Sequence, residues 1–563
     1  MTQPPAIRPS FRARLAGAGT WLRANPLHAT LLLLAAVLFA LHFLHLNADF
    51  PNNSPWSDWS KYTDEGWYGD AAIRHFQLGH WYVKGDFNPA AALPVWPFFE
   101  ALIFQFTGVS LTAARALTVC VFAGILVASW FLVARHSPNR SQRNSLAASI
   151  AVLLLAANPF CFVFTRLAIT EPLVILFTLL ALLVIPPNRV PKVSHSRPGI
   201  SDLRVILLLG ILLPALILTK TTAIFLTPAI FWMLFASCAY RAPAYLRIAV
   251  PAALLALALW LSYYYFGVVR PGHLLDYRYL FSANAYTAMT RENFAAVIAG
   301  MLKDGRWIGY LLYPLALAAA AIAVSQFRRL AAYPLIPALM LWVAGYMAFL
   351  AYHNNLQPRY YLVIAIPLTL LLPVVVEDLM LPRIESQTAR RVALATFTLT
   401  VTAIVLSDAR HTISFVRHPE YTLVRAAEDI ATYIRHDQKS DPTHKPLILS
   451  ISGSDISLIT GLPSICDDFG TLDLIDRVKL YKPGWYVAWN QLEDDKMDAM
   501  SPMYSLQRVG EFPAMDDPDR NLLILYKLYP AGSQPPHPQH KKAIPRRLRT
   551  PLGQQPSVEQ LRH

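Results

Sequence analysis

The stretch ALPVWPFFEALIFQFT, residues 92–107, is apolar enough to be counted among the membrane helices, and whether it crosses decides the topology of the chain. The 563 residues are 55% hydrophobic and only 15% charged, with a mean hydropathy of +0.36. A soluble protein of this length needs more charge to cover its surface. Apolar runs lie near 29–46, 92–107, 112–134, 146–164, 171–186, 204–219, 222–239, 247–266, 308–325, 331–351, 360–379 and 392–407. Many reach the roughly 18–20 apolar residues that span a bilayer, and their internal Pro and Gly are tolerated there. If all of them crossed, the basic loop RHSPNRSQR (135–143) would face outside, against the positive-inside rule. One run must therefore fail to cross. The 92–107 run is short, interrupted by Pro94 and Pro97, and has Glu100 at its centre. It reads as an interfacial or re-entrant helix on the outer face.

The remaining runs predict a polytopic α-helical membrane protein of about eleven transmembrane helices. That arrangement puts the basic stretches Arg135–Arg143, Arg189–Arg204, Arg241–Arg247, Arg328/Arg329 and Arg383–Arg391 on the cytoplasmic side. Residues 1–28 form a cytoplasmic N-terminus, and 29–407 a membrane domain with a large first outer loop, 47–110. The run 29–46 follows Arg8, Arg12, Arg14 and Arg23 but precedes no small-residue cleavage site, so it reads as a retained helix. Residues 408–530 read as a small extracytoplasmic α/β domain. Within it, 420–437 is a helix with Leu423, Ala427, Ile430 and Ile434 on one face, and 446–452 and 521–529 are strands. The basic, Pro-rich tail 531–563 has the composition of a disordered segment.

The formal charge of +14 comes largely from loop residues that set topology, which argues against nucleic-acid binding. Cys120, Cys161, Cys238 and Cys466 have no metal-type spacing and form no disulfide framework. No HExxH, Walker A, GxGxxG or GxSxG motif is present. His42 and His45 read as packing residues of the first span, and Asp467, Asp468 and Glu493–Asp495 as turns and solvated faces.

Candidate chemistry collects on the outer face. KYTDEGWYGD (61–70) sets Asp64 and Glu65 among aromatic residues, with Trp67 and Tyr68 next to them. Aromatic residues at an interface also serve as plain anchors. TRLAITEP (165–172) places Glu171 at a helix start, where a carboxylate is favoured by the helix dipole or acts only as a cap. TKTT (219–222) leaves Lys220 at the interface, either snorkelling or binding phosphate. HNNLQPRYY (353–361) sets Arg359 at the mouth of another span, as an anchor or a bidentate phosphate ligand. Carboxylates can deprotonate an acceptor hydroxyl, and cations can stabilise a phosphate leaving group. Outside the cytoplasm an activated sugar has to arrive attached to a membrane lipid.

These residues resemble the GT-C glycosyltransferases that use polyprenyl-phosphate sugars. The resemblance is to the branch with protein O-mannosyltransferases, the lipid A aminoarabinose transferase and rhizobial lipopolysaccharide glycosyltransferases. It is carried by DEGWYG (64–69), NPAAALPVWPFFEALIFQFTG (88–108) with Arg115, RLAITEPL (166–173), LTKTTAIFLTP (218–228) and PRYYLVIAIP (358–367). It implies a catalytic acid at Asp64 with Glu65 beside it, a second acid at Glu171, the outer lysine at Lys220, and an Arg-Tyr mouth at Arg359 and Tyr360. Trp67, Tyr68 and Tyr360 would line the substrate. Relatives often carry a basic residue before the proline where this chain has Asn88-Pro89, and Lys84 is the substitute at hand for the donor phosphate.

The expected reaction is an inverting transfer of a hexose or pentose from a polyprenyl-phosphate donor to a protein, lipid or glycan hydroxyl, with Asp64 as base. No cofactor is firmly implied. A divalent cation between Asp64 and Glu171 suits carboxylate chemistry, but no sequence feature requires one. Membrane lipids are the other partners. The competing readings are a transporter or flippase of lipid-linked sugars and a non-catalytic partner in envelope glycan assembly. A transporter places ionisable groups near the bilayer midplane, whereas these lie at one face.

Overall fold

The computed structural model describes residues 23–52, 54–136, 145–187, 200–283, 294–353, 356–490, 494–515 and 520–533. Most of residues 1–28 and of the tail 531–563 therefore lie outside the described residues, as do the centres of the loops 135–143 and 189–204. Among the described residues, seven helices are long and apolar enough to cross a membrane. Four other predicted runs form shorter apolar helices, Leu146–Ala157, Glu171–Val184, Thr221–Ser237 and Leu312–Ser325. The chain is a polytopic α-helical membrane protein with a small C-terminal sheet.

Local sequence explains where these helices begin and break. Ser145, Asn158 and Ser386 each accept a backbone N–H at a helix start, and Pro26, Pro159, Pro172 and Pro358 occupy first-turn positions, where a missing N–H costs nothing. The run 146–164, read from sequence as one span, is instead two helices, Leu146–Ala157 and Pro159–Phe164. The break follows from Asn158-Pro159: the proline cannot continue the ladder, and Asn158 Oδ1 accepts the Cys161 N–H at 3.0 Å. The last long helix, Gln387–Arg417, runs ten residues past the apolar stretch 392–407.

One helix organises the bundle. Every residue of Pro358–Val375 is buried. It packs against Leu335–His353, Leu312–Ser325, Leu146–Ala157 and Glu171–Val184. A helix apolar on all sides suits lipid or protein surroundings alike, and here protein encloses it.

The stretch 92–107 forms the helix Val95–Thr107, only 13 residues long. Trp96, Glu100 and Phe104 are buried along one side, while Phe98, Leu102 and Phe106 are exposed along the opposite one. Both stripes repeat every four residues, so the helix has a protein face and an apolar outer face. Glu100 is on the protein face; a Cβ built on Gly69 would lie 2.3 Å from its Oε2. Burial, reinforced by the Glu65 carboxylate, pushes its carboxyl well above the usual range.

The C-terminal region is a five-stranded sheet in the order β2-β1-β3-β5-β4. Its strands are β1 Ile448–Leu449, β2 Ser464–Ile465, β3 Trp485–Trp489, β4 Tyr504–Pro513 and β5 Leu522–Pro530. β1 is parallel to β2 and β3, while β5 is antiparallel to β3 and β4. The predicted strand 446–452 shrinks to the two residues of β1, because the chain turns at Ser450–Ser452 into the helix Gly453–Thr460. The helix Thr422–Ser440 buries Leu423, Ala427, Ile430 and Ile434 against the sheet. Asp467, read from sequence as part of a solvated turn, is buried and ion-paired with Lys496 at 3.3 Å.

A buried ion network clamps the loop at 83–88 to this sheet. Arg74 Nη2 lies 2.5 Å from Asp86 Oδ2 and 2.9 Å from Asp70 Oδ2, and Arg477 Nη1 lies 3.1 Å from Asp86 Oδ1. The Cys466 N–H also donates to Asp86 at 3.0 Å. Removing one partner of such a network strands the others. Asp86→Ala should therefore destabilise the detergent-solubilised protein by about 3–5 kcal/mol, read as a lowered Tm. Lys479→Ala, which removes only an exposed pair with Asp476, should leave Tm within error.

Candidate active site

The fully buried helix Pro358–Val375 carries Arg359 as its second residue, and this guanidinium gathers carboxylates from three elements. Nη1 lies 2.5 Å from Asp58 Oδ1, and the Arg359 backbone N–H donates to Asp58 Oδ2 at 2.8 Å. Nη2 lies 2.9 Å from Asp64 Oδ2, and Nε lies 3.8 Å from Glu171 Oε1. Lys220, between the helix ending at Thr219 and the turn beginning at Thr221, places Nζ 2.5 Å from the same Glu171 oxygen. Tyr68 Oη accepts from Lys220 at 3.2 Å, and the Tyr360 ring lies 4.7 Å from the ammonium and 4.8 Å from the Arg359 guanidinium. These contacts are cation–π in character.

Each group sits where an element begins or ends. Glu171 is the first residue of Glu171–Val184, and Asp64 is the first of the helix Asp64–Leu78. A carboxylate at that position is favoured by the exposed N–H groups and dipole of the first turn. Burial raises the Asp64 carboxyl above its ordinary range, opposed by Arg359 and reinforced by Asp58. For Lys220, burial works against the charge, but Glu171 together with Tyr68, Tyr360 and Tyr346 outweighs it and holds the ammonium well above its usual range.

Glu65, adjacent to Asp64 in sequence, turns elsewhere. Its carboxylate is gripped bidentately by Arg115, Nε at 2.8 Å and Nη2 at 2.5 Å, and it accepts the Ala168 N–H at 2.7 Å. Arg115 Nη1 also donates to the carbonyls of Leu46 and Ala48. Glu65 thus ties the first helix of the 47–110 segment to the bundle. Trp67 and Tyr68 also diverge. Tyr68 joins Lys220, whereas Trp67 donates to the Ile451 carbonyl at 3.1 Å and packs edge-on against Phe87 and Phe469.

Lys84 is not brought to this cluster. Its side chain is exposed, and its carbonyl accepts from Tyr481 on the C-terminal side. Asn88 is buried and holds its loop together: it accepts from Arg74 at 2.8 Å and donates to Val83, Asp86 and Asp276. Asp58, the closest partner of Arg359, was not singled out by sequence reasoning. Nothing distinguishes it locally from the other acids of that segment. Among the described residues, no three His, Cys, Asp or Glu side chains converge in a way that would hold a metal ion. Asp64 and Glu171 face cations instead.

An apolar groove of about 500 Å³ opens beside the cluster, lined by Ala92, Leu213, Thr221, Trp260, Tyr277 and Phe281 among others. Thr221, which follows Lys220 in the chain, is one of its lining residues.

The two adjacent carboxylates should respond differently to mutation. Glu65→Ala leaves the Arg115 guanidinium and the Ala168 N–H without their partner, at a cost of about 3–5 kcal/mol. It should sharply lower the yield of monodisperse folded protein. Asp64→Asn retains an oxygen for Thr63 and leaves Arg359 paired with Asp58, so its folded yield should stay near that of the parent.

No family model matches the chain, and no curated protein sequence matches it. Solved structures do. ArnT from Cupriavidus metallidurans bound to undecaprenyl phosphate superposes with a TM-score of 0.55 at 16% identity, over 88% of this chain and 97% of that one. The same protein in the apo state gives 0.54 at 15% identity, over 88% and 98% of the two chains. The archaeal oligosaccharyltransferase AglB from Archaeoglobus fulgidus, in complex with an inhibitory peptide and a dolichol-phosphate, gives 0.52 at 14% identity over 92% and 76%. At these identities the likeness concerns architecture. The chain has the GT-C fold that its sequence resembles.

Proposed function

We propose that the protein is an integral membrane glycosyltransferase that moves a sugar from a polyprenyl-phosphate donor to an acceptor hydroxyl, inverting the anomeric centre. The observation that carries this reading is the buried cluster of Lys220 and Arg359 against Asp58, Asp64 and Glu171, with an apolar groove lined in part by the next residue, Thr221. An isoprenoid chain suits that groove, and the two cations suit its phosphate. Solved proteins of the same fold carry undecaprenyl phosphate and a dolichol-phosphate. In keeping with the charge bias of the loops, the site faces the outer side of the cytoplasmic membrane. The N-terminus is then cytoplasmic and the sheet domain extracytoplasmic.

The charges suggest an order of events. Three carboxylates surround two cations, so the cluster is one negative charge in excess before any phosphate enters. A donor phosphodiester competes with the carboxylates for Lys220 and Arg359. As Arg359 turns to phosphate, Asp64 loses the neighbour that lowers its proton affinity and becomes a stronger base. Asp64 then takes the acceptor's proton as that oxygen attacks the anomeric carbon. The bond from carbon to phosphate oxygen breaks, and polyprenyl phosphate leaves on Lys220 and Arg359. Glu171 holds Lys220 at the interface, and Tyr68 and Tyr360 shape the pocket around the ammonium. Glu65 serves the position of Asp64 through Arg115 rather than the reaction itself.

Comparing glycolipids and glycoproteins of deletion and parent strains by mass spectrometry should reveal one product that disappears with the gene and returns with it. Restoration by Asp64→Asn should be reduced by about 100-fold or more, the scale of a lost general base. Full restoration would rule the mechanism out. In isolated membranes, transfer should fall on acidification. A base acts deprotonated, and burial raises Asp64, so the midpoint should lie above the ordinary Asp value of about 4.

A further inference from the structure

The helix that presents Asp64 begins without a cap of its own. Thr63 stands at the N-cap position, but its side chain makes no capping hydrogen bond. Its hydroxyl is used elsewhere, against the Trp59 carbonyl and Asp64 Oδ1, both at 3.1 Å. The first-turn N–H groups, buried with their residues, need acceptors from outside the helix.

An acceptor comes from the sheet domain. The N-terminal turn of the helix Gly453–Thr460 is pressed onto Gly66, so closely that a Cβ there would lie 2.2 Å from the Asp455 nitrogen and from the Ser454 carbonyl carbon. Only glycine permits this approach. The Gly66 N–H is turned toward the Asp455 carboxylate, whose Oδ2 is buried with no hydrogen-bond partner among the described residues. Three further bonds hold the two helices in register. Ser454 Oγ donates to Asp70 at 3.0 Å, the Trp67 indole to Ile451 at 3.1 Å, and Gln77 to Ser457 at 3.4 Å.

We propose that Asp455 is a positioning residue for the transfer reaction: it caps, from the sheet domain, the helix that carries Asp64, so that the C-terminal domain completes the site. The proposal rests on reading Asp64 as the base. The groups facing Asp455 are Glu65 and Asp64 from the capped helix and Arg115 from Leu111–His136. Burial, then Glu65, raise the Asp455 carboxyl well above its ordinary range, while the Gly66 N–H and Arg115 oppose them. What a cap requires of this position is an acceptor oxygen. An asparagine can supply it too.

The test compares Asp455→Ala with Asp455→Asn in the full-length protein. Amide hydrogen exchange of the purified protein should speed up across residues 65–67 by about tenfold or more in Asp455→Ala, the scale of losing a buried hydrogen bond. Asp455→Asn should stay within about threefold of the parent. The glycan product restored in the deletion strain should follow the same pattern, about tenfold lower for alanine and near parental for asparagine. If Asp455→Ala does not accumulate, Asp455→Val, which carries no side-chain acceptor, takes its place. Unchanged exchange in the alanine or valine variant would overturn the cap. Equal loss of product in the alanine and asparagine variants, with exchange differing between them, would overturn the positioning role. Failure of the glycosyltransferase reading shows separately, as full product from Asp64→Asn, and leaves the exchange comparison intact.

Discussion

Two cations buried where water cannot hydrate them dictate what surrounds them. Lys220 and Arg359 are each only 6% exposed, and a charge so placed must be paired or the fold does not hold it. Three carboxylates from two parts of the chain, Asp58 and Asp64 from one and Glu171 from the other, meet that demand. The meeting point exists because Pro358–Val375 is enclosed on all sides by other helices, which fixes where its second residue lies. Glu171–Val184 packs on that helix, and the 47–110 segment folds over the same end of the bundle. On the proposed function, a donor phosphate would have to compete with these same pairs for the two cations.

The segment around Asp64 stands between two bodies. Glu65, through Arg115 and the Ala168 N–H, fastens the helix start to the membrane bundle. One residue later, Gly66 lies against the sheet domain. Farther along, Asp70 and Arg74 share the ion network that reaches Asp86 and Arg477. Three consecutive residues thus have three separate duties: Asp64 faces the cations, Glu65 the bundle, and Gly66 the sheet. Helical geometry makes this division available, since successive side chains are turned about 100° from one another.

Much of this was legible in the sequence for one physical reason: an ionisable residue in an apolar context is conspicuous. Glu171, Lys220 and Arg359 each interrupt a membrane run, and the structure brings those three together with Asp64. The runs themselves were legible because hydropathy reports burial in lipid or protein alike. Asp58 was not legible, since it lies in a loop with several other acids and its role comes from a partner 301 residues away. Asp455 was hidden for a similar reason, in a turn-rich domain where an acid after Gly-Ser normally faces water. The strands β2 and β3 escaped notice because they are short and buried on both faces, which removes the alternation that marks a strand. Lys84 was inferred by proximity in sequence, but the loop bends around Asn88 and leaves the lysine outside.

The contact between Gly66 and Asp455 also sets a schedule for biosynthesis. These residues are almost 400 positions apart, so the helix start that presents Asp64 is made long before its partner leaves the ribosome. The membrane helices and the groove they form can assemble first. Asp64's helix gains that contact only when nearly the whole chain has been synthesised and the sheet has folded back onto the bundle. A nascent chain that stops short of the sheet therefore holds Glu171, Lys220 and Arg359 but lacks the surface that meets Gly66.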